Sequence, residues 1–389
     1  MGKTAFLFPG QGAQYIGMGR DFYEQIPVSR DVFAAASEAS GLDIAALCFE
    51  ENEKINITEY TQIGMLTVEA AILQALLAEG RTPDVAAGLS LGEYGALLAS
   101  GVMEQRDAFA LVRKRGIYMQ EAVPVGGAMA AVLGLDAEKI EKICGQTAGT
   151  VSIANYNCPG QIVITGEEAA VAAAGEQCKG SGAKRVVPLK VSGPFHSPML
   201  KEAGEKLGEA LAAVTLREIK LPYLANVTAD YVREAEAVKP LLKQQVCAPV
   251  RWQQSVERLL ADGVDTFVEI GPGHTLSGFM KKILKQAEVP ADTVQVYNVE
   301  TMDDFKEYMS KPENSFVKAY KAGEPNISAV LFTGNDDAQA VLDIKRFITD
   351  IVKYYSANYY SNACAKCNSS IGLSFAKASD GNVKQLCKM

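Results

Sequence analysis

Histidine is almost missing from this chain, with two residues in 389, His196 and His274. Any reaction that needs an imidazole base near neutral pH therefore has two candidates. Long apolar runs are missing too, since no stretch approaches the ~18 residues of a membrane span. The opening run, residues 3–8, is interrupted at once by Pro9-Gly10 and reads as a short strand, not a secretory leader. A myristoylation motif would want Ser or Thr where Phe6 stands. There is no dense run of Lys and Arg and the net charge is −8, so nucleic acid is not an expected partner. The cysteines at 48, 144, 158, 178 and 247 have neither metal nor disulfide spacing. They read as reduced, mostly buried thiols, which points to a cytoplasmic setting.

What is present is an ordinary globular composition, 48% hydrophobic and 22% charged, long enough for two or three domains. Charge is uneven. Residues 311–389 carry 10 Lys+Arg against 7 Asp+Glu, and the preceding 310 residues carry 28 against 39. The most specific local signal is Gly88-Leu89-Ser90-Leu91-Gly92, with an apolar approach (Val85, Ala86, Ala87) and a helix-prone exit (Glu93, Tyr94, Ala96, Leu97). That is the pattern of a nucleophile elbow, in which a serine hydroxyl is exposed between a strand and the N-terminus of a helix. A serine nucleophile needs a base. His196 lies between Pro194 and Pro198, which stiffen its loop, whereas His274 follows Gly271-Pro272-Gly273 and reads as a polar loop residue or helix cap.

Periodicity predicts a strand at 4–8, helices at 21–37 and 61–79, a strand at 85–88 and helices at 92–100 and 105–121. Residues 127–187 change rhythm. Strands at 128–133, 151–156, 161–165 and 185–187 alternate with helices at 136–147 and 167–179, the β-α-β-β-α-β order of a ferredoxin-like unit. The α/β pattern then resumes, with helices near 197–213, 238–246, 252–261 and 275–285 and strands at 221–225 and 266–270. The expected fold is α/β, a hydrolase-like body with a mostly parallel sheet and an inserted ferredoxin-like subdomain. Residues 1–126 and 188–305 form the body, 127–187 the insert, and 306–389 a C-terminal extension of unassigned role. In the extension a strand at 329–332 and a helix at 337–355 are expected. Cys364 and Cys367 have CxxC spacing, but with only Cys387 nearby and no histidine they fall short of a four-ligand zinc site.

Several separate stretches resemble one family, the malonyl-CoA:acyl carrier protein transacylases. They are Phe8-Pro9-Gly10-Gln11-Gly12, the elbow through Tyr94, Arg113 to Gly116 with Met119-Gln120, Asn155 to Gln161, Gly193 to Ser197, and Glu269 to Gly273. The resemblance covers residues 1 to about 305. It implies that Ser90, deprotonated by His196, accepts a malonyl group from malonyl-CoA and passes it to the phosphopantetheine thiol of an acyl carrier protein. That step supplies fatty acid synthesis, with no permanently bound cofactor or metal and with the chain acting as a monomer. It also implies backbone oxyanion donors at Gln11 and Leu91, a histidine-orienting carbonyl at Gln245, and a malonyl-carboxylate clamp at Arg115. Phe195, before the base, resembles the residue that selects malonyl over branched extenders. An acidic carrier would want a basic patch, for which Lys184, Arg185 and Lys190 are candidates. The family often carries histidine where Leu89 stands. Acyltransferases of polyketide assembly or malonate decarboxylation, a serine hydrolase, and an idle carrier-binding scaffold are the competing readings.

Overall fold

The structure is a computed structural model that describes residues 3–189, 193–290 and 293–311, with the backbone alone of 372–377 and 383–388. The chain divides into two compact units, Met1–Lys311 and Pro312–Met389.

In the first unit, β1 (Lys3–Phe8) leads through α1 (Arg20–Gln25), α2 (Pro27–Ser40) and α3 (Ile44–Phe49) to α4 (Thr58–Ala78). The single helix expected over 21–37 is two helices. Pro27 cannot donate the hydrogen bond a continuing helix needs, so Ile26 turns extended and Pro27 opens the second helix. Contrary to the expectation that no stretch approaches a membrane span, helix α4 is long and apolar enough to cross one by length and composition, but 83% of that window is buried inside the protein. It is a central core helix, apolar on every side because other elements surround it.

Next come β2 (Val85–Gly88), α5 (Gly92–Ser100) and α6 (Gln105–Ala122). The insert follows: β3 (Gly127–Leu133), α7 (Ala137–Gln146), β4 (Val151–Cys158), β5 (Gln161–Glu167), α8 (Glu168–Gly180) and β6 (Arg185–Pro188). Its four strands lie in the order β4-β5-β3-β6, all antiparallel, the ferredoxin-like arrangement. Strand alternation divides its faces. Ala130, Val132, Ile162 and Ile164 pack with Ile140, Cys144, Val171 and Cys178, while Met129, Ala131 and Val163 join the main core. The insert is tied to the body by backbone bonds from Tyr156 N–H to the Val250 carbonyl (2.9 Å) and from Val250 N–H to the Ala154 carbonyl (2.8 Å).

The body resumes with α9 (Lys201–Ala212), β7 (Tyr223–Ala225), β8 (Asp230–Val232), α10 (Val238–Gln245), α11 (Trp252–Ala261), β9 (Val264–Ile270), α12 (Thr275–Gln286), β10 (Gln295–Val299) and α13 (Met302–Ser310). Its sheet runs β10-β9-β1-β2-β7-β8, parallel throughout except for β8 at one edge. The expected end at 305 falls inside α13. Phe305 packs edge-on against Phe22, and Arg81 donates to the carbonyls of Met309 and Lys311, so the body continues to Lys311.

In the second unit, β11 (Gly372–Lys377) and β12 (Val383–Lys388) pair antiparallel. The strand and helix expected at 329–332 and 337–355, and Cys364 and Cys367, lie outside the described residues, as does the side chain of Cys387.

Candidate active site

In an open parallel sheet, binding sites gather beyond the carboxyl ends of the strands. Here Phe8 of β1 and Gly88 of β2 are paired neighbours, so the loops after both strands start side by side. The turn from β2 into α5 is too tight for any side chain at its glycines. A Cβ on Gly88 would sit 1.9 Å from the Gly92 carbonyl carbon, and one on Gly92 would sit 2.1 Å from the Phe8 oxygen. Between them Ser90 is held at φ 55, the left-handed region that costs a non-glycine residue about 1–3 kcal/mol. Three hydrogen bonds hold that strained backbone in place. Ser90 N–H donates to Asn226 Oδ1 (2.6 Å), Asn226 Nδ2 donates to the Gly88 carbonyl (2.6 Å), and Gln245 Nε2 donates to the Ser90 carbonyl (2.9 Å).

The structure brings His196 to this serine across 106 positions of sequence. Ser90 Oγ and His196 Nε2 are 2.7 Å apart, and His196 Nδ1 is 2.9 Å from the Gln245 carbonyl oxygen. A carbonyl can only accept, so the ring proton sits on Nδ1 and the Nε2 lone pair faces the hydroxyl. His196 is 3% exposed. Burial first, and then the nearby Arg115 cation, press its pKa from 6.5 down to about 4, against the pull of the Gln245 and Ala248 carbonyls. A neutral base at physiological pH follows. His274 is elsewhere: it opens α12, is largely exposed, and sits 3.4 Å from Glu300.

Arg115 comes from the middle of α6 and is fully buried. Its Nη1 donates to Gln62 Oε1 (2.6 Å), and its Nη2 donates to Gln245 Oε1 (3.0 Å) and reaches Ser90 Oγ at 3.2 Å. Its Nε has no partner, and among the described residues no carboxylate touches the guanidinium. Arg113, two positions away, is instead paired with Glu59 at 2.7 Å. A buried cation with donors to spare, within reach of the nucleophile, is suited to a substrate anion.

The Gln11 loop rests on the elbow. Leu89 N–H donates to the Phe8 carbonyl (3.0 Å), and a Cβ on Gly10 would meet Leu89 Cδ2 at 2.8 Å. The Leu89 side chain therefore lies close against the Gly10 backbone under that loop. Gln11 Nε2 is anchored on Thr58 Oγ1 (3.1 Å). The backbone N–H groups of Gln11 and Leu91 spend no hydrogen bond on any described residue. Phe195 is buried near the last turn of α6.

Lys184 and Arg185 are exposed at the start of β6, where Arg185 pairs with Leu133. The other end of β3, Gly127, packs on Pro194 of the histidine loop. A strand's length, roughly 20 Å at ~3.3 Å per residue, thus separates this pair from the catalytic cluster. Lys190 lies outside the described residues. Also among the described residues, no group of three His, Cys, Asp or Glu is arranged to hold a metal.

Three contributors escaped the sequence reading. Asn226 stands just beyond β7, and its amide braces both sides of the elbow. Gln62 faces Arg115 from α4, where a polar residue inside an apolar stripe was the available signal. Glu93, fully buried at the start of α5, accepts from Asn226 N–H (3.1 Å) and Gln245 Nε2 (2.7 Å). Burial pushes its carboxyl up to about 7, opposed by those two donors and by Arg115. A lone acid among Tyr94, Ala96 and Leu97 was the hint.

Comparison with known proteins places the chain among known relatives. Residues 5–312 match the acyl transferase domain family. The malonyl CoA-acyl carrier protein transacylase of Bacillus subtilis is 46% identical over 308 residues, 78% of this chain and 96% of the relative. The crystal structure of MCAT from Streptococcus pneumoniae superposes with a TM-score of 0.75 at 46% identity, covering 80% of this chain and all of the other. A malonyl-transacylase solved in complex with a type II PKS acyl-carrier protein matches with the same TM-score at 39% identity, covering 80% of this chain and 100% of that one. With a family match across most of its length and a relative at 46% identity, this chain belongs to the acyl transferase domain family.

Proposed function

We propose that the chain transfers malonyl from malonyl-CoA to the phosphopantetheine thiol of an acyl carrier protein, supplying fatty acid synthesis. The observation that carries this is Arg115 Nη2, buried, free of any carboxylate partner among the described residues, and 3.2 Å from the Ser90 hydroxyl. An acetyl group would leave that cation desolvated and unpaired, whereas a malonyl carboxylate pairs with it.

The chemistry is a two-step exchange. Ser90 Oγ attacks the thioester carbonyl as its proton passes to His196 Nε2, 2.7 Å away. The oxygen of the tetrahedral intermediate is received by the Leu91 and Gln11 N–H groups, neither of which is committed elsewhere. The C–S bond breaks, and the CoA thiolate leaves with the proton from His196. The Gln245 carbonyl holds the imidazolium through Nδ1–H. The carrier thiol then gives its proton to His196 and attacks the malonyl-Ser90 ester. Ser90 leaves and recovers the proton. No permanently bound cofactor enters this scheme.

Lys184 and Arg185, with Lys190, are the proposed landing patch for an acidic carrier, whose flexible arm spans the remaining distance to Ser90. A chain with a net charge of −8 and free body thiols fits a cytoplasmic monomer that engages neither nucleic acid nor membrane.

The test incubates purified protein with malonyl-CoA and holo-carrier protein, beside acetyl-CoA and a no-carrier control. Carrier-dependent malonyl transfer is expected. Rapid hydrolysis without transfer would instead identify a hydrolase. Intact mass should show a malonyl adduct that Ser90→Ala abolishes, and an adduct surviving that change would remove Ser90 as the nucleophile.

A further inference from the structure

Arg115 and Glu93 are both fully buried and do not touch each other. The side-chain amide of Gln245 lies between them, its Oε1 accepting from Arg115 Nη2 (3.0 Å) and its Nε2 donating to Glu93 Oε2 (2.7 Å). One amide therefore bridges a buried cation and a buried acid. Among the described residues no other acid is joined to this guanidinium, directly or through one side chain. The remaining titratable groups around Glu93 are phenols and the base. Tyr94 on its own helix and Tyr223 of β7 are held protonated by burial, and His196 is neutral.

In the unloaded site the cation needs an anion, and Glu93 is positioned to be it. A malonyl carboxylate on Arg115, the occupant proposed above and the premise of this inference, adds a second negative charge to a water-poor cluster holding a single permanent cation. Two anions on one cation in such a place are costly, and a buried carboxylate relieves that by binding a proton. The geometry allows it without rearrangement. Glu93 Oε2 carries both accepted hydrogen bonds, whereas Oε1 has no partner and can take the proton while both bonds persist.

We infer that Glu93 is the resident counter-charge of Arg115, relayed through Gln245, and that a substrate carboxylate arriving on Arg115 is accompanied by uptake of one proton from solvent at Glu93. The cluster then holds one cation and one anion before and after binding. Glu93 makes no contact with the reacting atoms, so it is a positioning residue. Burial has already brought its titration to about 7, so uptake is measurable near neutrality and grows from pH 6 to pH 8 as more of the unloaded acid is ionised.

The experiment is calorimetric titration of the Ser90→Ala protein, which cannot be acylated, with malonyl-CoA and with acetyl-CoA in buffers of different ionisation enthalpy. Malonyl-CoA should take up more protons than acetyl-CoA, by an amount approaching one proton at pH 8, where an acid titrating near 7 is roughly nine-tenths ionised. The CoA phosphates contribute equally to both and cancel. In Ser90→Ala/Glu93→Gln, which keeps both accepted hydrogen bonds but has no titration, the difference should vanish. Equal uptake for the two thioesters overturns the inference even if the double variant does not fold, and so does a malonyl-specific uptake that survives Glu93→Gln. If malonyl-CoA binds no more tightly than acetyl-CoA, the carboxylate site itself is wrong. If it binds more tightly with equal uptake, only the role of Glu93 fails.

Discussion

The two histidines of this chain occupy opposite kinds of loop. His196 is enclosed, with each ring nitrogen committed, one to Ser90 and one to the Gln245 carbonyl. His274 opens α12 with its side chain 66% exposed and Glu300 3.4 Å away. Both follow a glycine-proline pair, and in local sequence the chief difference is the second proline, Pro198, close behind His196. What separates them is the tertiary surroundings. Enclosure removes water from His196, keeps it neutral and aims its lone pair, while exposure leaves His274 with a solvated polar contact of small energetic weight.

The widest gap should appear in catalysis. His196→Ala should lower carrier-dependent malonyl transfer by roughly 10²–10⁴, the usual contribution of a positioned base, and His274→Ala should leave it near wild type. Comparable losses from both would erase the distinction. Next is the response to acid. The folded pKa of His196, about 4, lies below its ordinary 6.5, so its neutral burial supports the fold above pH 6.5. That support is lost as pH falls through 4, a penalty on the order of 3 kcal/mol. Chemical denaturation from pH 7 to pH 4 should therefore show a flatter decline for His196→Gln than for wild type, and an unchanged slope would refute it.

A finer cut removes the cation next to His196. Arg115→Ala should lower malonyl use by about 10–100-fold while affecting acetyl far less. It should also move the acidic limb of kcat/KM to higher pH, because the cation is one of the two causes holding the histidine down. A limb that stays put, or equal losses on both substrates, would remove Arg115 from that account. The smallest effect belongs to the outer loop, where loss of the His274–Glu300 contact should cost under about 1 kcal/mol of stability by chemical denaturation.

Much of the architecture could be read from the residues. The elbow strand and its helix lie where the glycine spacing put them, and the antiparallel insert follows its predicted strand and helix order. Most of what was missed was short or broken by one residue: α3 has only six residues, β8 has three, β10 has five, and Pro27 splits the first helix, but the nine-residue α13 that carries the body past 305 was missed as well. At the site, residues carrying a motif were legible, whereas Asn226, Gln62 and the side-chain role of Gln245 were not. An amide within an otherwise ordinary stretch announces nothing until its partners are known.

Local sequence determined that a serine would be presented on a strained turn, because only glycines at 88 and 92 let the backbone pass so close to β1. It also limited the imidazole base to two positions. Which histidine answers, and which arginine stays buried without an acid, was decided only when the parallel sheet aligned the carboxyl ends of β1, β2 and β7. Those choices depend on desolvation and on hydrogen bonds between residues more than a hundred positions apart, quantities that no local pattern encodes.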